Sequence, residues 1–332
     1  MTKEIPIILA PCCVLIEGHN YSCIYDLQRN GIYRFSNLYR HLFCKDEITK
    51  NWNILVKSPT KKDKEFVDSL LSNQLCVKSE QNSFFRPIDT TSYIQRSCEN
   101  AIIDRDAKSV YSMNIVANQL SSVACEAVCI RYFKTVDMES IENEIEAFND
   151  STIRHIEIHC VLSEKISIDR LRVLKKYYGR VCSFVFYSEK KSEVVTVGNN
   201  LIIVMKKYGI DKYKMCGSVS DLKMRAQTQF YIESKNYNNC LYRKVYIDSC
   251  GIVKNCPEMT TQYGSIDEEG FQLKSIFNSA IFSKCWYITK DKIDQCKDCE
   301  FRYACMDCRC FLKEVDNPLS KPAKCKYNPY KS

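Results

Sequence analysis

Hydrophobic and polar residues follow two different patterns in the first 235 residues of the chain, one up to residue 88 and one after it. Near the amino terminus, apolar alternating runs flank Asn30-Gly31, a dipeptide typical of a hairpin turn because it tolerates positive φ. Helical spacing follows at 37–42 and 62–73, and Phe84-Phe85 has the composition of a returning strand. Strands, helices and a strand-like wing in this order predict a winged-helix-like module over residues 1–88, serving either packing or recognition of an extended peptide.

The middle segment, residues 89–235, alternates short strands with amphipathic helices. This rhythm predicts parallel βα units in an open sheet or a partial βα barrel. The predicted strands are Val123–Phe133, Ile153–Cys160, Cys182–Tyr187 and Asn200–Met205, and the predicted helices are Ser140–Phe148 and Ile168–Tyr178.

Catalytic motifs are scarce in this α/β segment. The chain contains no G-x-G-x-x-G, G-x-x-x-x-G-K-[ST], H-E-x-x-H or G-x-S-x-G, so no catalytic residue and no nucleotide cofactor is predicted. Alternation of polar and apolar residues along 154–160 places His155, Glu157 and His159 on one face of a strand. That face either lines the interior of a barrel or is exposed to solvent. Cys125 and Cys129 are interpreted as small buried hydrophobes.

Composition narrows the class of protein. With 332 residues, 45% of them hydrophobic, the chain can form several cores. The sequence contains no run of eighteen apolar residues, so no membrane span is predicted. The net charge of +8 comes from scattered lysines rather than one basic block, so no nucleic-acid partner is predicted. Twenty-one cysteines, an odd number, without a signal peptide favour a reducing cytoplasm in which thiols bind metal or pack.

The loop-rich segment 236–332 contains ten of the cysteines in an ordered pattern. It reads C-x10-G-x4-C, a gap, C-x2-C-x5-C-x2-C, a gap, and C, and its members are Cys240, Gly251, Cys256, Cys296, Cys299, Cys305, Cys308 and Cys325. Thiolates select zinc or iron-sulfur clusters. Zinc is the alternative, because zinc ribbons usually separate their C-x2-C pairs by about fifteen residues. Nearby cations would offset the charge of a cluster, and the candidates are Lys297, Arg302, Arg309 and Lys313.

These cysteines resemble the SPASM domain, the cluster-binding extension of many radical-SAM peptide-modifying enzymes. The resemblance implies one [4Fe-4S] cluster on Cys296, Cys299, Cys305 and Cys325, and most of a second on Cys240, Cys256 and Cys308. The family's sixth cysteine would fall at Arg309, so Cys308 is preferred as its substitute. The fourth ligand of the second cluster remains open among Cys250, Cys285 and Cys310.

Further stretches, among them 24–30, 239–244 and 324–329, resemble the SPASM-containing maturase of grasp-with-spasm, graspetide-type peptide systems. The resemblance implies a precursor peptide and an ATP-grasp ligase as partners, a leader-binding amino-terminal module and a radical-SAM-like partial barrel. The chain lacks the C-x3-C-x2-C loop of radical-SAM chemistry, so the barrel would be degenerate. We therefore expect an accessory peptide-binding protein; a redox enzyme that uses a SPASM cluster and a zinc-stapled structural protein are the alternatives.

Overall fold

A computed structural model describes residues 5–55, 59–80, 88–91, 97–187, 193–197, 201–206, 216, 219 and 223–331. The chain forms two compact units. Unit 1 contains Met1–Tyr93, Gly217–Cys240 and Tyr287–Ser332, and unit 2 contains Ile94–Cys216 and Leu241–Trp286. Each unit therefore combines segments that are distant in sequence, and the division into three consecutive domains stays a prediction.

The described part of the chain forms fifteen strands and seven α-helices. In chain order they are β1 Ile7–Leu9, β2 Cys13–Glu17, β3 Tyr21–Asp26, β4 Gly31–Ser36, β5 Phe43–Lys45, β6 Trp52–Ile54, α1 Lys61–Ser72, β7 Cys76–Lys78, β8 Asn100–Arg105, α2 Met113–Ser122, β9 Ala127–Tyr132, α3 Met138–Glu146, β10 His155–Val161, α4 Ile168–Tyr177, β11 Val181–Tyr187, β12 Glu193–Val197, β13 Leu201–Lys206, α5 Thr228–Asn236, β14 Lys244–Ile247, β15 Val253–Lys254, α6 Leu273–Phe277 and α7 Ala280–Ser283. Short 3₁₀ helices lie at Asn37–Leu42, Lys284–Tyr287, Lys290–Lys292 and Cys296–Asp298.

Unit 1 contains two antiparallel sheets, with strand orders β5-β6-β1-β7 and β2-β3-β4. The predicted hairpin is present as β3 and β4, where Asp26 pairs with Gly31. Only Asn30 of the turn dipeptide takes positive φ, at 56°, because Gly31 already belongs to the strand. The Asp26 carboxylate holds the turn by accepting hydrogen bonds from the backbone N–H groups of Gln28 and Arg29.

The two predicted helices of the amino-terminal segment are also present. Residues 37–42 form a 3₁₀ rather than an α-helix, in keeping with their six-residue length. Helix α1 begins after Thr60, whose side chain and that of Asp63 form a reciprocal capping box. Phe66 and Leu70 are buried on one face of α1, as its periodicity predicts. The strand predicted at Phe84-Phe85 lies outside the described residues.

Both faces of the three-stranded sheet are covered. Leu15 and Ile24 belong to one apolar cluster, together with Phe66 of α1. Tyr25 belongs to a second cluster, which also contains Tyr231 of α5 and Tyr303 from the cysteine-rich segment. The carboxyl-terminal segment therefore packs on the amino-terminal sheet within unit 1.

Unit 2 is built on an eight-stranded sheet of order β12-β13-β11-β10-β9-β8-β14-β15. The six central strands pair in parallel, and β12 and β15 are antiparallel edges. From β8 to β11, each helix connects neighbouring strands, as parallel pairing requires. Because such crossovers are almost always right-handed, three steps in one direction place α2, α3 and α4 on one face of the sheet.

All four strands and both helices predicted in the middle segment are present, as β9, α3, β10, α4, β11 and β13. The sequence argument missed β8, α2 and β12. The mixed α/β class is confirmed, whereas the winged-helix-like, partial-barrel and SPASM descriptions stay predictions. In the part of the chain that the structure describes, no helix is both long enough and apolar enough to cross a bilayer.

Candidate functional site

Four cysteines that the sequence groups together line one cavity of unit 1. Cys296, Cys299, Cys305 and Cys325 surround a space of about 40 Å³, and their thiols are free of disulfide bonds. The rest of its wall is mostly apolar and includes Val219, Met224, Phe301 and Pro322. The predicted convergence of these four cysteines is therefore present in the structure.

Short turns hold the sulfurs in place. Cys296 opens a 3₁₀ turn after Gln295, whose φ is 63°, and the N–H of Cys299 donates to the carbonyl of Cys296 over 3.0 Å. A second turn follows, in which the N–H of Cys305 donates to the carbonyl of Phe301 over 3.0 Å. The pair Cys296 and Cys299 and the first cysteine of the second C-x2-C pair, Cys305, thus face one cavity, whereas Cys308 does not line it and Cys325 completes the set.

The spacing of the four sulfurs bears on the choice of metal. A tetrahedral zinc ion with Zn–S bonds of about 2.3 Å holds its sulfurs roughly 3.8 Å apart. Within the described residues, no three of these thiols lie mutually within 4.8 Å. A four-iron cluster separates its thiolate ligands more widely, since the iron-sulfide core lies between them. The four thiols are soft sulfur donors of the kind that bind either zinc or an iron-sulfur cluster.

Two cations accompany the cavity. Lys290, only 4% exposed, lines it and donates to the carbonyl oxygen of Cys305. Arg302 also lines it, donates to the carbonyl of Cys299 over 2.9 Å and pairs with Asp291 over 3.2 Å. Positive charge beside several thiolates lowers the energetic cost of their ionised state.

Of the four cations expected from the sequence, only Arg302 lines the cavity. Lys297 and Lys313 are exposed, and Arg309 is buried in an ion pair with Asp307 over 2.6 Å. Lys290 was not predicted, because it lies outside the cysteine pattern.

Burial makes bare thiolates costly at this site. It raises the pKa of Cys296 to about 12 and raises the pKa values of Cys299 and Cys305, while Lys290 lowers those of Cys296 and Cys305. The thiols therefore ionise at neutral pH only when a bound metal supplies compensating charge. The donor set fits a cationic metal centre.

The cysteines predicted for a second cluster are divided between the units. Cys240, Cys308 and Cys310 belong to unit 1, and Cys250, Cys256 and Cys285 belong to unit 2. Cys308 is buried at 5% exposure, and Cys310 is half-buried. The second ligand set, including the choice of Cys308, stays a prediction.

Within unit 1, a buried polar network joins the loop before Cys240 to the loop around Cys308. The side-chain amide of Asn238 donates to Asp307 over 2.6 Å and its oxygen accepts from the N–H of Cys240 over 3.1 Å. Asp307 in turn pairs with Arg309. The buried ion pair of Arg309 with Asp307 thus holds this loop in place.

The glycine of the cysteine pattern has a local role in unit 2. Gly251 takes a φ of 83° in the turn between β14 and β15, and its N–H donates to the carbonyl of Asp248 over 2.9 Å. A Cβ there would lie 3.3 Å from Tyr111. The spacing C-x10-G-x4-C therefore contains a turn that requires glycine.

A groove of about 300 Å³ lies beside the cysteine cavity in unit 1, and Arg302 lines both. It runs along β2, which within the described part of the chain pairs with β3 alone. Lys45, Lys50 and Lys235 add positive charge to its lining, which also contains the aromatic residues Trp52, Tyr231 and Tyr303. An unpaired strand edge with basic and aromatic walls suits an extended peptide that bears acidic side chains.

The predicted face of β10 is confirmed in unit 2. Ile156, Ile158 and Cys160 are fully buried, whereas Glu157 and His159 lie on the other face and hydrogen-bond to each other. His159 is buried, so this face of β10 is not uniformly exposed to solvent.

No family model matches the chain, and neither the curated proteins nor the solved structures contain a significant match.

Proposed function

We propose that this chain is an iron-sulfur protein that binds a ribosomally made precursor peptide and presents it to an ATP-grasp ligase. The observation that carries the proposal is that the four-cysteine cavity and the basic groove share Arg302 within one unit. The assignment to graspetide-type maturation and the ligase partner rest on the SPASM resemblance.

The cavity supports the metal part of the proposal. Cys296, Cys299, Cys305 and Cys325 would hold one [4Fe-4S] cluster, with Lys290 beside them to offset its charge. A cluster held by four thiolates has no open iron, so it supplies structure or electron transfer rather than a substrate-binding site. The second predicted cluster, with Cys240, Cys256 and Cys308, is kept as an extension of the same proposal.

The groove supports the peptide part. Arg302 donates to the carbonyl oxygen of Glu17, at the end of β2, over 2.6 Å, and also to the carbonyl of Cys299. The N–H of His19 donates to the carbonyl of Asp298 over 2.8 Å. A cluster in the cavity would therefore stabilise the strand edge that receives the peptide.

Iron and acid-labile sulfide analysis of anaerobically purified protein tests the metal part. We expect about four irons and four sulfides per chain for the first cluster, and about eight of each if the second also forms. One or two zinc ions without sulfide would instead support the zinc-stapled alternative.

A reaction with a candidate graspetide-type precursor tests the role. The precursor is incubated with its ATP-grasp ligase and ATP, with and without this chain, under reducing conditions. An accessory protein changes the rate or extent of the water losses that the ligase causes. Mass changes of another kind would support the redox enzyme, and unchanged water losses without any other mass change would contradict both.

A further inference from the structure

Polar side chains form two rows across the parallel sheet of unit 2, on the face opposite the buried apolar residues of β10. In one row, Cys129 of β9 pairs in register with Glu157 of β10, which pairs with Ser183 of β11. In the next row, His159 of β10 is in register with Arg131 of β9. Strand pairing, rather than sequence proximity, brings these side chains together.

Three of these side chains form a compact group of metal-binding atoms. The sulfur of Cys129, a carboxylate oxygen of Glu157 and a ring nitrogen of His159 lie within 4.8 Å of one another. The ring nitrogen Nε2 of His159 is 2.6 Å from Oε1 of Glu157. Tetrahedral coordination would lengthen that contact to about 3.4 Å, a shift that rotation of the half-exposed Glu157 side chain can provide.

The surroundings orient two of the three groups. The hydroxyl of Ser183 donates to Oε2 of Glu157 over 2.8 Å, and the hydroxyl of Tyr187 lies 3.0 Å from Nδ1 of His159. Metal-binding histidines and carboxylates are commonly held by such outer contacts. Nearby Arg131 is already neutralised by two hydrogen bonds to Asp104, of 2.5 and 2.7 Å.

We propose that Cys129, Glu157 and His159 bind one divalent transition-metal ion, preferably zinc, and leave its fourth coordination position open. A sulfur, a nitrogen and an oxygen donor suit zinc, and three protein ligands with an open position are typical of zinc sites that bind water or a substrate oxygen. The exposed side of Glu157 gives access to that position.

A nucleophilic triad explains the group less well. In such a triad a histidine stands between the cysteine and the carboxylate. Here the carboxylate of Glu157 is the group in register with Cys129 and is itself bonded to His159. The three donor atoms are close enough to converge on one cation after a small rotation of the Glu157 side chain.

Cys12, Cys13 and Asp26 form a second compact group of metal-binding atoms. In this group the carboxylate is already used in other interactions. The carboxylate of Asp26 already accepts hydrogen bonds from the backbone N–H groups of Gln28 and Arg29 and from the Arg29 guanidinium. Its oxygens are committed to the β3–β4 turn, so we assign no metal to it.

Titration of the purified protein with Co²⁺, in whatever metal-loaded form it is isolated, tests the proposal. We expect one equivalent to bind with sulfur-to-cobalt charge-transfer absorption, and Cys129→Ser to lose that absorption. Glu157→Gln should weaken binding by at least about 100-fold, and Ser183→Ala by about 10-fold, since loss of outer-contact partners typically costs 10–100-fold.

Cys182→Ser is the matched control, because Cys182 is a half-buried cysteine of β11 outside the group. It should bind Co²⁺ like the unchanged chain. Differences between variants do not depend on the metal in the four-cysteine cavity, so the outcome is separate from that of the proposed function. Equal binding by Cys129→Ser, Glu157→Gln and the unchanged chain, or no binding by any of them, would overturn the proposal.

Discussion

The two units of the chain organise reactive side chains in different ways. In unit 1, Cys296, Cys299 and Cys305 lie in short turns with little regular structure around them. In unit 2, Cys129 and Glu157 are fixed by the register of neighbouring parallel strands. We expect the loop site to depend on a bound metal for its order, whereas backbone pairing between β9 and β10 orders the sheet site.

The largest expected effect follows from removing the cluster ligands. Replacing Cys296 and Cys299 together by Ala should abolish the roughly four irons of the cavity and destabilise unit 1 by several kcal/mol, because metal-binding free energy in such loop-rich segments is folding free energy. Unit 2 should unfold as before.

The two tryptophans make this separation measurable. Trp52 belongs to unit 1 and Trp286 to unit 2, and the chain contains no others. Urea unfolding followed by fluorescence in a Trp286→Phe background reports unit 1, and in a Trp52→Phe background unit 2. Cys44→Ala, at an exposed cysteine, is the control. If the double replacement of Cys296 and Cys299 lowered the unfolding midpoints of both units equally, the units would not differ in their dependence on a bound metal.

The next effect concerns the buried ion pair of the sheet. Asp104→Ala leaves Arg131 buried without its carboxylate partner and also removes the acceptor of the Tyr246 hydroxyl, 2.6 Å away. We expect a loss of about 3–5 kcal/mol in the unfolding free energy reported by Trp286.

The exposed pair of Arg172 and Asp169 provides the comparison, since Asp169→Ala should cost less than about 1 kcal/mol. Iron content should stay unchanged in both variants. An equal effect of the two substitutions would show that burial does not set the cost.

Sequence reasoning located the loop site better than the sheet site. Spacing grouped Cys296, Cys299, Cys305 and Cys308, of which the first three line the cavity, because a C-x2-C turn is a local property. Cys325 was assigned to the same set by the resemblance. Alternation along β10 also placed Glu157 and His159 on one face. Local patterns were sufficient for both.

The features that the sequence did not predict depend on contacts between segments distant in sequence. The role of Cys129 requires the register of β9 against β10, and Lys290 reaches its site from outside the cysteine pattern. The same holds for Asn238, whose partner Asp307 is 69 residues away. No single-sequence pattern carries such information, so the interpretation of Cys129 as a small buried hydrophobe omitted its neighbours.

A moderate effect is expected where the amino-terminal sheet contacts the cysteine segment. A Cβ on Gly18 would lie 2.6 Å from the carbonyl oxygen of Tyr21 and 2.8 Å from the backbone nitrogen of Glu300. Gly18→Ala should therefore cost about 1–3 kcal/mol in the unfolding free energy reported by Trp52. Gly179→Ala is the control, because a methyl group there would meet no heavy atom within 4 Å, and it should change stability by less than about 1 kcal/mol.

The smallest expected effect sharpens the role of the basic groove. Lys45 and Lys50 line it, whereas Lys61 is an exposed lysine of the same unit that pairs with Glu65. Replacing Lys45 and Lys50 by Gln should weaken binding of the fluorescein-labelled precursor by about 2–30-fold, since each of the two exposed charges contributes about 0.2–1 kcal/mol. The loss should shrink as salt rises, because screening already weakens the same attraction in the unchanged chain. Lys61→Gln should leave the affinity for the precursor unchanged. If it weakened binding as much as the replacement of Lys45 and Lys50, the effect would come from overall charge rather than from the groove in unit 1.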